Sequence, residues 1–214
     1  CSVLEKVHFP EKTVSIGDKV FYDCSVLNDV VLPSTLATMG RQVFYYCNDL
    51  KSITLPAGLT QAGSYVGAGS QFDIFYYCYN LEEVNVASEN TAFASVDGIV
   101  YEKDENGVMK TLCFSPFGKA GEVVIPNTVN YIATEAFYYN QNVTKISVED
   151  GKSAVNAEGV EGTLELGDNI FYLCNSLEEI SLPNITTVPS SIFQNCYSLK
   201  TFEVPYTVTS IGNE

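Results

Sequence analysis

Apolar and polar residues alternate along this chain in a short pattern that returns many times. In one copy, Phe44 and Cys47 are spaced as on one side of a helical turn. The segment 50–55 follows, in which Ile53 and Leu55 alternate with polar residues, as in a strand that has one buried face. Each copy therefore predicts a short helical turn followed by one short strand.

The copies recur at a nearly constant distance. A single column of the repeat contains Cys1, Cys24, Cys47, Cys78, Asn140, Cys174 and Cys196. The first three lie 23 residues apart and the last two 22 apart, and the segment 122–126 supplies one more strand, so we count eight repeats, here called rungs. Leu-x-x-Leu-x-Leu spacing at this period is the leucine-rich signature, in which each rung adds one strand to a parallel stack. One rung alone cannot bury its Phe, Cys and Leu. The sequence therefore predicts a leucine-rich-repeat solenoid of the α/β type, with one short parallel strand per rung and short helical turns on the convex side.

The motif Phe-Tyr-Tyr-Cys-x-x-Leu-x-x-Ile-x-Leu-Pro resembles the BspA-like leucine-rich repeats of bacterial surface proteins, over nearly the whole chain. The segment 95–119 looks like the inserted β-hairpin that such proteins often place between rungs, and Asn106-Gly107 is a strong hairpin turn signal. We expect one leucine-rich-repeat domain over 1–214 that belongs to a longer protein. Insertions are expected near 61–70, 88–119 and 150–168. The resemblance implies a secreted or surface-anchored adhesin or recognition module.

The composition narrows the range of partners. Lys and Arg number 11 against 26 Asp and Glu, which gives a formal net charge of −15. Nucleic acid requires a basic face, which so few cations cannot supply, so we exclude it as a partner. No apolar run approaches the roughly 18 residues that a membrane-spanning helix needs. The charge predicts salt-dependent attraction to basic partners instead.

The sequence offers no set of residues for catalysis or metal binding. Its one histidine, His8, lies on a predicted strand, with no nucleophile and orienting carboxylate expected beside it. No Cys-x-x-Cys motif or Cys/His cluster predicts a metal site. We therefore expect neither an enzyme nor a cofactor, and we interpret His8 as a surface residue.

The cysteines and tyrosines follow the repeat. Seven cysteines cannot all pair within one chain, and we expect the column to consist of buried thiols that act as small apolar side chains. Cys1 and Cys113 are the candidates for an exposed, reactive thiol. The tyrosines near each column cysteine are either a ladder that binds sugars or peptides, or rings that stack on one another and shield the convex side.

The polar positions of the predicted strands form the candidate binding surface, because solenoids usually bind partners on their exposed sheet face. Its candidate residues are His8, Asp29, Thr54, Glu83, Asn85, Lys145, Ser147, Glu179, Ser181 and Glu203.

Two functions fit this surface. The first is a non-catalytic module of a bacterial cell-surface or secreted, adhesin-like protein that binds a host matrix protein or a glycan. The second is a structural spacer with no ligand of its own. Either function places the chain outside the cell or on the bacterial surface.

Overall fold

The structure, a computed structural model, describes residues 1–63, 72–149 and 163–213. The described residues form seventeen short strands and a single 3-10 helix at Asp73–Phe75. The strands are β1 (Lys6–His8), β2 (Ser15–Ile16), β3 (Asp29–Val31), β4 (Thr38–Met39), β5 (Ser52–Leu55), β6 (Gln61–Ala62), β7 (Glu83–Val86), β8 (Phe93–Val96), β9 (Ile99–Lys103), β10 (Met109–Phe114), β11 (Ala120–Ile125), β12 (Tyr131–Ile132), β13 (Asn142–Val148), β14 (Glu165–Leu166), β15 (Glu179–Ile180), β16 (Thr187–Val188) and β17 (Ser210–Ile211). Within the described ranges, no helix is long and apolar enough to cross a membrane.

One strand from each successive rung forms the front of the stack. β1 pairs with β3, β5 with β7, and β13 with both β11 and β15, all in parallel. Inward residues such as Ile53 and Val84 are buried, whereas Thr54 and Asn85 beside them are exposed. The alternation in the sequence therefore decides which side of each strand meets the core. We call these seven strands the front strands and their exposed surface the front face.

A second set of strands lies further along each rung. β2, β4 and β6 form one parallel ladder, β10, β12 and β14 a second, and β16 and β17 a third. Where the hairpin is expected, β9 pairs antiparallel with both β8 and β10. In the turn between β9 and β10, Asp104 accepts hydrogen bonds from the N–H groups of Asn106 and Val108, and Gly107 has a φ of 78°. On its other edge, β10 pairs in parallel with β12 through Thr111 and Leu112, which also pair with β9, so the hairpin is joined to the parallel stack.

The turn that carries the Phe-x-x-Cys motif is not helical, so the expected helical turns are wrong outside the 3-10 helix. Gln42, two residues before one such motif, and Tyr46, inside it, have φ values of 54° and 59°, outside the right-handed helical region. The N–H groups of Phe44 and Tyr46 donate to the carbonyl oxygens of Ile74 and Tyr76 on the next rung, at 3.0 and 3.1 Å. A helix directs its N–H groups along its own backbone. Here alternate N–H groups point along the stack and link one rung to the next.

Phenylalanine rings from successive rungs form the centre of the core. The ring centroids of Phe44 and Phe75 are 5.7 Å apart, and those of Phe171 and Phe193 are 5.8 Å apart. Phe114, which β10 contributes after the hairpin, lies 6.0 Å from Phe75 and continues the file. Each fully buried Phe contributes about 1.5–3 kcal/mol of transfer free energy, which one rung could not gain alone.

The cysteine column bonds to the backbone as well as filling space. The buried Sγ of Cys78 donates to the carbonyl oxygen of Phe44 on the preceding rung at 2.8 Å. Equivalent bonds are made by Cys47, Cys174 and Cys196. At Asn140, the Nδ2 atom donates to the carbonyl oxygen of Pro116 at 2.7 Å, while Oδ1 accepts from the N–H of Val143 at 2.9 Å. The asparagine therefore replaces the thiol as the side chain of this column that donates to a backbone carbonyl oxygen.

Two of the expected insertions, near 61–70 and 150–168, lie largely outside the described residues. The third, near 88–119, contains β8, β9 and β10.

Candidate functional site on the front face

The structure places the candidate residues on the front strands or directly beside them. Thr54 is in register with Asn85, and Lys145 is in register with Glu179, which also bridges to Thr201 on the next rung. Most of the candidate side chains are exposed, and none is fully buried. The polar positions thus form columns that run across the rungs. The placed candidates are His8, Asp29, Thr54, Glu83, Asn85, Lys145, Ser147, Glu179, Ser181 and Glu203.

At one end of the front face, Asp29 contacts the side chains of Lys6 and His8. Lys6 Nζ lies 3.3 Å from its Oδ2 atom and His8 Nε2 lies 3.3 Å from its Oδ1 atom. The hydrogen bonds from Lys6 and His8 lower the pKa of Asp29. His8 is exposed, as expected for a surface histidine, and its contact is with a carboxylate on the neighbouring strand.

At the other end, two ion pairs lie side by side. Lys145 Nζ on β13 is 3.2 Å from Glu179 Oε2, and Lys200 Nζ is 2.5 Å from Glu178 Oε2. The two glutamates are adjacent in the chain, and each binds a lysine from a different neighbouring rung. The hydrogen bond that Lys145 donates to Glu179 raises the pKa of Lys145, and the one that Lys200 donates to Glu178 raises the pKa of Lys200. Both lysines therefore remain protonated at neutral pH, with an ammonium donor fixed beside a carboxylate acceptor.

The candidate residues fall into separate depressions rather than one site. Lys145, Glu179, Ser181 and Glu203 line a depression of about 690 Å³, here called the β13–β15 depression. A second depression, of about 630 Å³, contains Asp29 and Thr54. Glu83 lines a third, of about 530 Å³. Asn85 Nδ2 lies 3.4 Å from Glu83 Oε2, and Ser147 is opposite Val124.

Sequence reasoning missed three residues of the β13–β15 depression. Glu178 and Lys200 lie one position before the predicted strand columns, and Tyr206 follows the proline that ends its rung. Tyr206 is 95% exposed, and Ser34 at the same point of an inner rung is exposed as well, so side chains here protrude at the rim of the face. The sequence did contain a signal for Tyr206, because this rung has an aromatic residue after its proline where other rungs have Glu11 or Ser34.

The turn between β8 and β9, at Asp97–Gly98, interrupts the row of front strands between β7 and β11. We call this turn the hairpin tip. The N–H of Val84 donates to the carbonyl oxygen of Gly98 at 2.9 Å, in the place where the next front strand would pair. Lys119 Nζ, just before β11, lies 2.6 Å from Oδ2 of Asp97 at the same tip. The front face is therefore divided into a part over β1–β7 and a part over β11–β15.

The tyrosines stack on one another, which is the second of the two expectations for them. The rings of Tyr22 and Tyr45 are stacked with centroids 4.5 Å apart, and those of Tyr138 and Tyr172 are stacked at 5.4 Å. Burial, followed by the charge of neighbouring tyrosines, raises the pKa of Tyr45 to about 12. Because the faces of these rings are covered by other rings, little flat aromatic surface is left for a ligand.

The cysteines differ in their exposure. Cys1 is exposed and Cys196 partly so, whereas the other five, including Cys113, are buried. The suggestion that Cys113 is exposed is therefore wrong, since β10 brings it into the core. In the part of the chain that the structure describes, no group of three or more His, Cys, Asp or Glu residues is placed to hold a metal ion.

Parallel front strands, a file of phenylalanines and an exposed polar face define a leucine-rich-repeat protein. The family model for the BspA type leucine rich repeat region matches six copies over residues 1–96 and 107–214. The chain therefore belongs to the BspA type leucine-rich repeat family. A search of curated proteins finds no match.

Solved structures of similar fold come from bacteria. A leucine rich cell surface protein from Faecalibacterium prausnitzii A2-165 is 28% identical with a TM-score of 0.75, over 99% of this chain and 50% of that one. The pneumococcal vaccine antigen PcpA is 25% identical with a TM-score of 0.77, over 98% of this chain and 47% of that one. A leucine-rich repeat protein from Eubacterium ventriosum, 20% identical with a TM-score of 0.50 over 97% of this chain and 74% of that one, supports the fold alone. The chain thus spans about half the length of the first two and is a repeat protein of the bacterial surface type.

Proposed function

We propose that this chain is a non-catalytic binding module of a bacterial cell-surface or secreted protein, and that its front face binds a protein or a glycan. The observation that carries the proposal is the register of the front strands, which aligns exposed polar side chains such as Thr54 and Asn85 into columns. These side chains are not used by the core. The descriptions of two similar structures as a cell surface protein and a vaccine antigen support the location.

The arrangement is suited to binding because the scaffold fixes the positions of the exposed groups. Each front strand is held by its neighbours and by the buried file beneath it, so that little conformational entropy remains to be lost when a ligand binds. Donors and acceptors such as Lys145 and Glu179 are already oriented by their contacts with each other. A spacer would not need this order on its surface.

The test is binding of the whole chain to immobilised host matrix proteins and to a glycan array. We expect at least one ligand whose affinity falls when Asn85, Ser147 or Ser181 is replaced by alanine. The matched control is Gln61→Ala, an exposed polar strand residue on β6, away from the front face. Absence of any ligand, or equal losses for Gln61→Ala and the front-face variants, would favour the spacer.

A further inference from the structure

We infer that the β13–β15 depression is a carbohydrate-binding site for an uncharged, hydroxyl-rich glycan. This inference rests on the proposed function and narrows it to one class of ligand and one part of the front face. It depends on three features of the depression: the two ion pairs, the exposed ring of Tyr206, and the charge that remains unpaired.

The two ion pairs match the chemistry of neighbouring sugar hydroxyls. A hydroxyl both donates and accepts hydrogen bonds, whereas an ammonium group only donates and an ionised carboxylate only accepts. Lys145 with Glu179, and Lys200 with Glu178, each present one donor and one acceptor within 3.2 Å of each other. One hydroxyl of a vicinal pair can donate to the carboxylate while its neighbour accepts from the ammonium. Ser181 adds a further exposed hydroxyl in the same depression.

Tyr206 supplies a flat apolar surface beside these polar groups. Tyr206 is 95% exposed, and Val204, two residues earlier in the chain, is 50% exposed. Pro183 and Pro205 complete this apolar wall of the depression. The C–H face of a sugar ring packs well against an aromatic face, whose phenolic hydroxyl stays in water. The stacked tyrosines cannot do this, because a ring such as Tyr45 is covered by Tyr22.

The charges of the depression disfavour ionic ligands. Both of its lysines are engaged with carboxylates, so an acidic glycan finds no free cation there. Glu203 has no cation within ion-pair distance among the described residues and would repel an anion. A basic peptide would find only one carboxylate without an ion pair in this depression, which is Glu203, so the depression does not favour a basic peptide either. The volume of about 690 Å³ is in the range of small-ligand sites and accommodates a short oligosaccharide.

The experiment titrates the full chain with neutral oligosaccharides built from mannose, glucose or galactose, with heparin, and with oligolysine, by isothermal calorimetry at two salt concentrations. We expect at least one neutral oligosaccharide to bind with little dependence on salt. Tyr206→Ala should weaken that binding at least about tenfold, a change of about 1.4 kcal/mol. Tyr206→Phe keeps the aromatic ring and should keep most of the affinity. Glu203→Gln tests the contribution of the one carboxylate of the depression that has no ion pair. Gln61→Ala on β6 is the control, and circular dichroism checks the fold of each variant.

The outcomes separate this inference from the proposed function. Binding of heparin or oligolysine in place of neutral sugars, or full affinity in Tyr206→Ala, would overturn the carbohydrate site. If a ligand is lost on changing Asn85 or Ser147 but not Tyr206, the front face still binds and only the carbohydrate site is wrong. If no front-face variant affects any ligand, both are wrong. Because Tyr206 is 95% exposed, loss of fold is not expected to obscure the result.

Discussion

Replacing Cys78 by serine and by alanine separates two roles that the cysteine column combines. The side chain is fully buried, and its Sγ donates to the carbonyl oxygen of Phe44 at 2.8 Å. If the thiol only fills space, serine should be less stable than alanine, because a buried hydroxyl costs free energy. If the bond to the carbonyl matters, serine should be more stable than alanine, because it keeps a donor.

The structure supports the second alternative, in which the serine variant is more stable than the alanine variant. Alanine loses the hydrogen bond, worth about 0.5–1.5 kcal/mol net, and the packing of the sulfur atom, worth about 1 kcal/mol. We therefore expect Cys78→Ala to lower the free energy of unfolding by about 2 kcal/mol. Cys78→Ser should lower it by roughly half as much, because the donor is retained and only volume and apolar surface are lost.

The assay is equilibrium unfolding in guanidinium chloride under reducing conditions, followed by circular dichroism. The matched control is Val84, a fully buried residue of the same rung whose side chain donates no hydrogen bond. There Val84→Ser should be less stable than Val84→Ala. The reasoning would be refuted if position 78 gave the same order as position 84, since the thiol would then be only a small apolar group.

Three further predictions follow from the environments of titratable groups. A thiol reagent should modify native Cys1 rapidly and the buried column slowly, since burial raises the pKa of Cys47 to about 12; more than two fast-reacting cysteines would contradict this. Burial raises the pKa of Tyr45 from its ordinary 10.0 to about 12 in the folded chain, so the stability that it contributes below pH 10 is lost as the pH rises from 10 through 12. Tyr45→Phe should therefore weaken the alkaline loss of stability in denaturation series from pH 9 to 12, and an unchanged pH profile would argue against the shift. Glu179→Gln should lower the pKa of Lys145 in an NMR titration, while Lys200, paired mainly with Glu178, should change much less.

The register of the front face could be predicted from the sequence because a strand has a side-chain period of two. In the segment 52–55, one choice of face buries Ile53 and Leu55, and a slip by one residue would bury Ser52 and Thr54 instead. The same constraint applies in every rung, so the alternation predicts that Thr54 and Asn85 are exposed, and the alignment of the repeats predicts that they share a column.

The form of the Phe-x-x-Cys turn could not be predicted in the same way. A spacing of three between Phe44 and Cys47 suits a helical turn and equally suits the observed turn, because both bury the same two side chains. What distinguishes them is the partner of the backbone N–H groups, which for Tyr46 is a carbonyl group 30 residues further along the chain, at Tyr76. Spacing within one rung contains no information about a bond between rungs.

The hairpin has a consequence for binding that its sequence signals did not reveal. Asn106-Gly107 indicates the turn between β9 and β10, but nothing in the local sequence shows that the other tip, Asp97–Gly98, reaches β7 and takes the place of a front strand. Because Gly98 accepts the hydrogen bond from the N–H of Val84 on β7, the columns of polar side chains are interrupted at this point. A ligand that contacts both Asp29 and Glu179 would have to pass over the tip and its ion pair with Lys119. The two parts of the front face are therefore separate surfaces, and a ligand of either one needs to match only the groups on its own side of the hairpin.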